Sequence, residues 1–135
     1  SQSGERIFHS GTYNACATVL AAGMATLDVL QQPGVYEQLD RAGETIRRSL
    51  SEMVDDRRIH AKVLGIRSIF HMLFTGQEVK SYREAARANV SELRTLNLAM
   101  YNRGIFFPPL HCCFLSIAHD ESDIEKTLDA LRDAL

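Results

Sequence analysis

Gly11-Thr12-Tyr13-Asn14 stands just ahead of an alanine-rich apolar stretch. A Gly-Thr turn running into a helix N-terminus offers backbone N–H groups, a hydroxyl and a positive dipole end, a combination that holds phosphate. The same residues have a plainer use, because Thr12 or Asn14 can simply cap the helix. His111-Cys112-Cys113, with His119 downstream, carries the side chains that ligate metals or attack electrophiles. Adjacent strand residues point to opposite faces, so Cys112 and Cys113 do not both turn toward one ion. No spaced CxxC or HExxH supplies further ligands, and no metal site is expected. A thiol nucleophile would rest on this cluster alone. The lysines are Lys62, Lys80 and Lys126. A carbonyl-trapping lysine needs desolvation or a cationic neighbour. Lys80 and Lys126 fall on polar helix faces and Lys62 on the exposed side of a strand, so no catalytic residue is assigned. The glycines form neither a P-loop nor a GxGxxG fingerprint.

The elements that must position these residues follow from periodicity. Asn14 to Leu30 predicts a helix of small apolar residues, with Val19, Ala22, Leu27 and Leu30 at helical spacing and Gln32-Pro33-Gly34 as its stop. A second helix carries the stripe Val35, Leu39, Ala42, Ile46, Leu50, Met53 and ends at the charged run Asp55–Arg58. Between Ile59 and Thr75 the pattern predicts two short strands, or one bent strand with a bulge at Gly65. Val79 to Arg103 is expected as a third helix closed by Gly104. Strands are expected at Ile105–Phe107 and Cys113–Ala118, and a last helix capped by Asp120 buries Ile124, Leu128, Leu131 and Leu135. The order predicts an α+β domain with a small antiparallel sheet covered by helices. Residues 1–13 are a lead-in segment, with one apolar pair at Ile7-Phe8, and residues 14–135 a single domain.

Composition narrows the classes of function. The chain has 135 residues with a formal charge of −2, 45% hydrophobic and 24% charged residues. Phosphate-backbone binding favours a basic face, so nucleic acid is not an expected partner. No apolar run reaches the ~20 residues of a membrane span. The opening Ser1–Arg6 is not expected to be a signal peptide, and three cysteines, two of them adjacent, point to a reducing, cytoplasmic setting.

His9-Ser10-Gly11-Thr12-Tyr13-Asn14-Ala15, followed by Ala21-Ala22-Gly23-Met24-Ala25-Thr26-Leu27, resembles the start of the C-terminal domain of class III pyridoxal-phosphate aminotransferases. Tyr36–Asp40, Gly65–Thr75, Arg103–Pro109, Phe114–His119 and Asp123–Glu125 resemble the same family, nearest the glutamate-1-semialdehyde 2,1-aminomutase branch. The resemblance implies the C-terminal domain of a fold-type I enzyme, which in the family binds its cofactor in a homodimer between a large domain and this smaller one. It implies that Thr12, with Gly11 allowing close approach, meets the phosphate of pyridoxal 5'-phosphate across the dimer. It also implies that the loop Pro108, Pro109, Leu110, His111 borders the substrate.

Two departures qualify this. Cys16-Ala17 stands where the family has Asn-Pro, and Leu110-His111-Cys112-Cys113 replaces a longer stretch that carries an acidic contact. The family's cofactor-bearing lysine, the acidic partner of the pyridine nitrogen and the ring-stacking residue lie upstream of the position matched by Gly11. The large domain is therefore expected to be absent from these residues, and the chain alone to be inactive, with no covalently bound cofactor. In the parent enzyme the reaction would be amino-group transfer or 1,2-migration on a small amino-carbonyl compound. The rival reading is a stand-alone binding or dimerisation domain that kept the fold. A cysteine-dependent hydrolase ranks last.

Overall fold

The computed structural model describes residues 10–135. The apolar pair Ile7-Phe8 and most of the lead-in lie outside them. The chain forms two compact units that divide after Val35. In the first, α1 spans Ala17–Leu30, starting three residues later than its apolar pattern. In the second, the six-residue stripe of the longest helix decides the packing. α2 spans Val35–Asp56, and Ile46 and Leu50 on that stripe are completely buried.

β1 (Lys62–Ile66) and β2 (Ile69–Leu73) form an antiparallel hairpin from Lys62↔Leu73 to Ile66↔Ile69. The register is continuous, with Gly65 opposite Phe70, so there are two strands and no bulge. Gly65 is needed for proximity, since a Cβ there would overlap the Ile69 carbonyl oxygen. β3 (Cys113–Phe114) adds to β2 through Phe70↔Cys113, giving the sheet order β1-β2-β3. Phe70 and Met72 on β2 join Ile46 and Leu50 of α2 in one core with residues from the later helices.

The long third helix is instead two: α3 (Tyr82–Ala85) and α4 (Val90–Tyr101). Asn89 makes the break. Its backbone N–H donates to the Phe74 carbonyl at 2.8 Å, and its side-chain oxygen accepts from Ser91 and Glu92 N–H at the start of α4. Ser81 opens α3 in the same way, accepting from Glu84 N–H while Glu84 accepts from Lys80 N–H. Gly104 ends α4 as expected, at φ +79, with its N–H on Tyr101 and that of Ile105 on Met100.

That closure also prevents the strand expected at Ile105–Phe107. The Ile105 N–H is already turned back into the helix end, and Pro108-Pro109 have no N–H to offer a ladder. Phe107 packs edge-on against Phe70 instead, ring centroids 5.8 Å apart. The Cys113–Ala118 strand shrinks to two residues because Ser116–His119 folds into a turn, His119 N–H donating to the Ser116 carbonyl. α5 (Glu121–Ala134) has the reciprocal Asp120–Asp123 cap and buries Ile124, Leu128 and Leu131. The architecture is α+β, with a small antiparallel sheet.

Candidate functional site

In the first unit, residues 12–15 form a turn in which Asn14 N–H donates to the Gly11 carbonyl at 3.0 Å and Cys16 N–H to Tyr13 at 3.1 Å. The N-cap of α1 is Cys16, which makes no side-chain capping bond. Capping by Thr12 or Asn14 is thereby corrected: both precede the helix by more than one residue. The Cys16 side chain thus caps none of the first N–H groups of α1, and Thr12 is exposed ahead of them in sequence. A Cβ on Gly11 would come within 2.9 Å of the Asn14 side-chain oxygen, which that side chain can relieve by turning aside. This donor set suits an anion.

In the second unit, Leu110 and His111 line a cavity of about 470 Å³ together with His71, Phe74, Leu93 and Cys112. Pro108 does not line it but borders a small adjoining pocket with His71, Leu93, His111 and Phe107, and Pro109 is exposed. Leu110 takes φ +60, which turns the chain sharply between the prolines and β3. No Asp, Glu, Lys or Arg lines this cavity.

The two neighbouring cysteines do separate. Cys113 is buried in the core, where desolvation first, and Cys112 second, push its thiol up to about 12. It stays a thiol at neutral pH and is inert. Cys112 is half-buried on the cavity side, with Sγ 3.9 Å from Nδ1 of His71. Extending the Phe70↔Cys113 pairing by one residue sets His71 opposite Cys112, so the sheet register builds this contact. Burial, and next the neighbouring His111, lower the His71 pKa, which favours its neutral form. His119 is held in its own turn by the Ser116 N–H at 3.0 Å and does not join them. Among the described residues no group of three or more His, Cys, Asp or Glu is placed to hold a metal ion.

His71 was not singled out by the sequence. Its signal is faint: one polar residue among β-formers, whose partner lies 41 positions away. Lys62, Lys80 and Lys126 are all exposed, as their pattern suggested.

No family model matches the chain. It is 34% identical over 131 residues to the glutamate-1-semialdehyde 2,1-aminomutase of Methanothermobacter thermautotrophicus, covering 96% of this chain and 31% of that protein. The enzyme of the same name from Thermus thermophilus is also 34% identical, over 132 residues. The chain thus spans about a third of the length of the curated relatives it matches, at their C-terminal end. Among solved structures, a β-phenylalanine aminotransferase from Variovorax paradoxus superposes with a TM-score of 0.82 at 26% identity, covering 95% of this chain and 30% of that one. A glutamate-1-semialdehyde aminomutase from Pseudomonas aeruginosa PAO1 shares the fold, with a TM-score of 0.83 over 99% of this chain and 31% of that one, at 24% identity.

Proposed function

We propose, from the premise that the chain is in sequence and fold a C-terminal domain of the class III pyridoxal-phosphate aminotransferases, that it serves amino-group transfer or 1,2-migration on a small amino-carbonyl compound. The observation that carries this reading is the 34% identity along 96% of the chain. Gly11 and Thr12 would hold the phosphate of pyridoxal phosphate, the Thr12 hydroxyl and the first-turn N–H groups of α1 donating to its oxygens. The exposed turn and uncapped helix start fit that role. When bound, the cofactor supplies an electron sink for the substrate's amino carbon. The loop Pro108–His111 would border the substrate, its wall excluding water without offering a charge.

The phosphate role is tested by nuclear magnetic resonance on the labelled chain. Pyridoxal phosphate is expected to shift the amides of Gly11, Thr12 and the first turn of α1, while pyridoxal, which lacks the phosphate, leaves them in place. Thr12→Val should weaken the shifts. Equal shifts from both compounds, or none at this turn, would remove the assignment.

The chemistry further requires a cofactor-bearing lysine from a large domain. Lys62, Lys80 and Lys126 are exposed, without the desolvation that makes an amine a ready carbonyl trap. A polypeptide of these 135 residues, mixed with pyridoxal phosphate and reduced with borohydride, is expected to show no site-specific lysine label. Stoichiometric labelling of one lysine by mass spectrometry contradicts this and with it the need for another domain.

A second reading, an assembly domain that kept the fold without the chemistry, is favoured by the apolar residues α1 leaves exposed.

A further inference from the structure

Cys112 and His71 share a cavity that is otherwise largely apolar, with Phe74, Leu93 and Leu110 in its wall, His111 as a second imidazole, and no Asp, Glu, Lys or Arg along it. The thiol sulfur lies 3.9 Å from the imidazole Nδ1, within reach of a hydrogen bond to sulfur. A soft nucleophile, a base held in its neutral form and an apolar enclosure form a combination that neither half supplies alone.

We propose that Cys112 is a nucleophilic thiol that captures an apolar α,β-unsaturated carbonyl compound, whose tail occupies this cavity. The tautomer with its proton on Nε2 presents Nδ1 to the thiol as an acceptor. As sulfur bonds to the β-carbon, the thiol proton passes to Nδ1 and the alkene pair moves into the carbonyl as an enolate. The α-carbon of the enolate then takes the proton back from His71. One S–C bond and one C–H bond form, while the S–H bond and the C=C π bond are lost. Nothing is oxidised or reduced, and no group leaves. The cavity supplies selectivity by burying the apolar tail beside the reacting carbon.

The other two cysteines are internal references. Cys113 is buried with its thiol pushed up to about 12, and Cys16 is half-exposed at the start of α1 and lines no part of this cavity. The chain is treated with trans-2-octenal or with the shorter crotonaldehyde, and adducts are timed at each cysteine by peptide mapping. With octenal, Cys112 is expected to react at least about tenfold faster than Cys16, saturably, and His71→Asn should remove most of that advantage without altering Cys16. With crotonaldehyde the advantage should shrink, because little tail is left to bury. Equal octenal rates at Cys112 and Cys16, or an unchanged Cys112 rate in a folded His71→Asn chain, overturns the proposal. If that variant fails to fold, the comparison of tail lengths on the unaltered chain decides: an advantage independent of tail length rejects the cavity's role.

Discussion

Replacing Gly43 by alanine lowers the thermal midpoint of the chain, although alanine is the better helix former by about 1 kcal/mol. Gly43 is buried in α2, and a Cβ built there would overlap the carbonyl oxygen of Arg67 in the hairpin turn. Backbone, not a movable side chain, stands in the way. The turn is further tied to α2 by the Arg47 guanidinium, which donates to the Arg67 carbonyl and, at 3.4 Å, to that of Ile69. Arg67 in turn reaches the Asp40 carboxylate at 2.8 Å. Separating the surfaces to admit a methyl group would loosen these bonds together. Overpacking of this kind costs about 1–3 kcal/mol, so the net loss should survive the gain in propensity. Gly43→Val, with a branched side chain, should cost more. Gly23, inside α1, has nothing within 4 Å of a Cβ position, so Gly23→Ala should raise helicity. Circular dichroism melts of the three variants check the contrast. A Gly43→Ala chain as stable as the original would show that α2 does not meet the hairpin this closely.

The parts of this fold legible in the sequence are those where one local pattern decides the outcome. The α2 stripe needs only a repeat of three and four, and Asp120 with Asp123 forms a cap within four residues. The break between α3 and α4 was legible too, but in a different signal from the one that suggested a single helix. Ser81–Glu84 and Asn89–Glu92 both have the spacing of a reciprocal N-cap, yet the apolar stripe through Tyr82, Ala86 and Val90 runs across the boundary between them. Tertiary pairing settles it, because the Asn89 N–H is taken by Phe74. Ile105–Phe107 shows the opposite failure. Its residues favour strands, but propensity cannot supply a partner, and the end of α4 captures the first donor.

The candidate sites divide along the same line. That Cys112 and Cys113 must face apart follows from strand geometry alone, and their burial agrees. That Cys112 meets His71 depends on the register of β3 on β2, which no local pattern sets. For Thr12, residue chemistry alone favours capping over anion binding, because helix starts far outnumber phosphate sites. The structure removes capping by making Cys16 the N-cap of α1, and phosphate at Thr12 stands as the proposal made above.

At micromolar concentration the 135-residue polypeptide should sediment as a dimer held through α1. Val19, Leu20, Met24 and Leu27 are each more than half exposed, none of the fourteen residues of this helix is buried, and its one charge is Asp28. Apolar surface left in water costs about 25 cal/mol per Å², and contiguous exposed patches of a few hundred Å² mark association sites. Ala21, Gly23 and Ala25 leave room for a second helix to approach closely. Twofold pairing buries the same residues on both copies and closes, whereas head-to-tail contact would continue into polymers. Val19→Asp would place two carboxylates in such a seam and is expected to weaken association at least about tenfold, since an unpaired buried charge costs several kcal/mol. The substitution lies on an exposed face, so it should leave the core of the second unit intact. Sedimentation equilibrium over a hundredfold concentration range measures both chains. A constant mass near 15.1 kDa for the unaltered chain rejects self-association. A dimer that Val19→Asp leaves unweakened places the interface elsewhere, and the apolar face of α1 would then remain available to a different partner, such as the large domain that the amino-transfer chemistry requires.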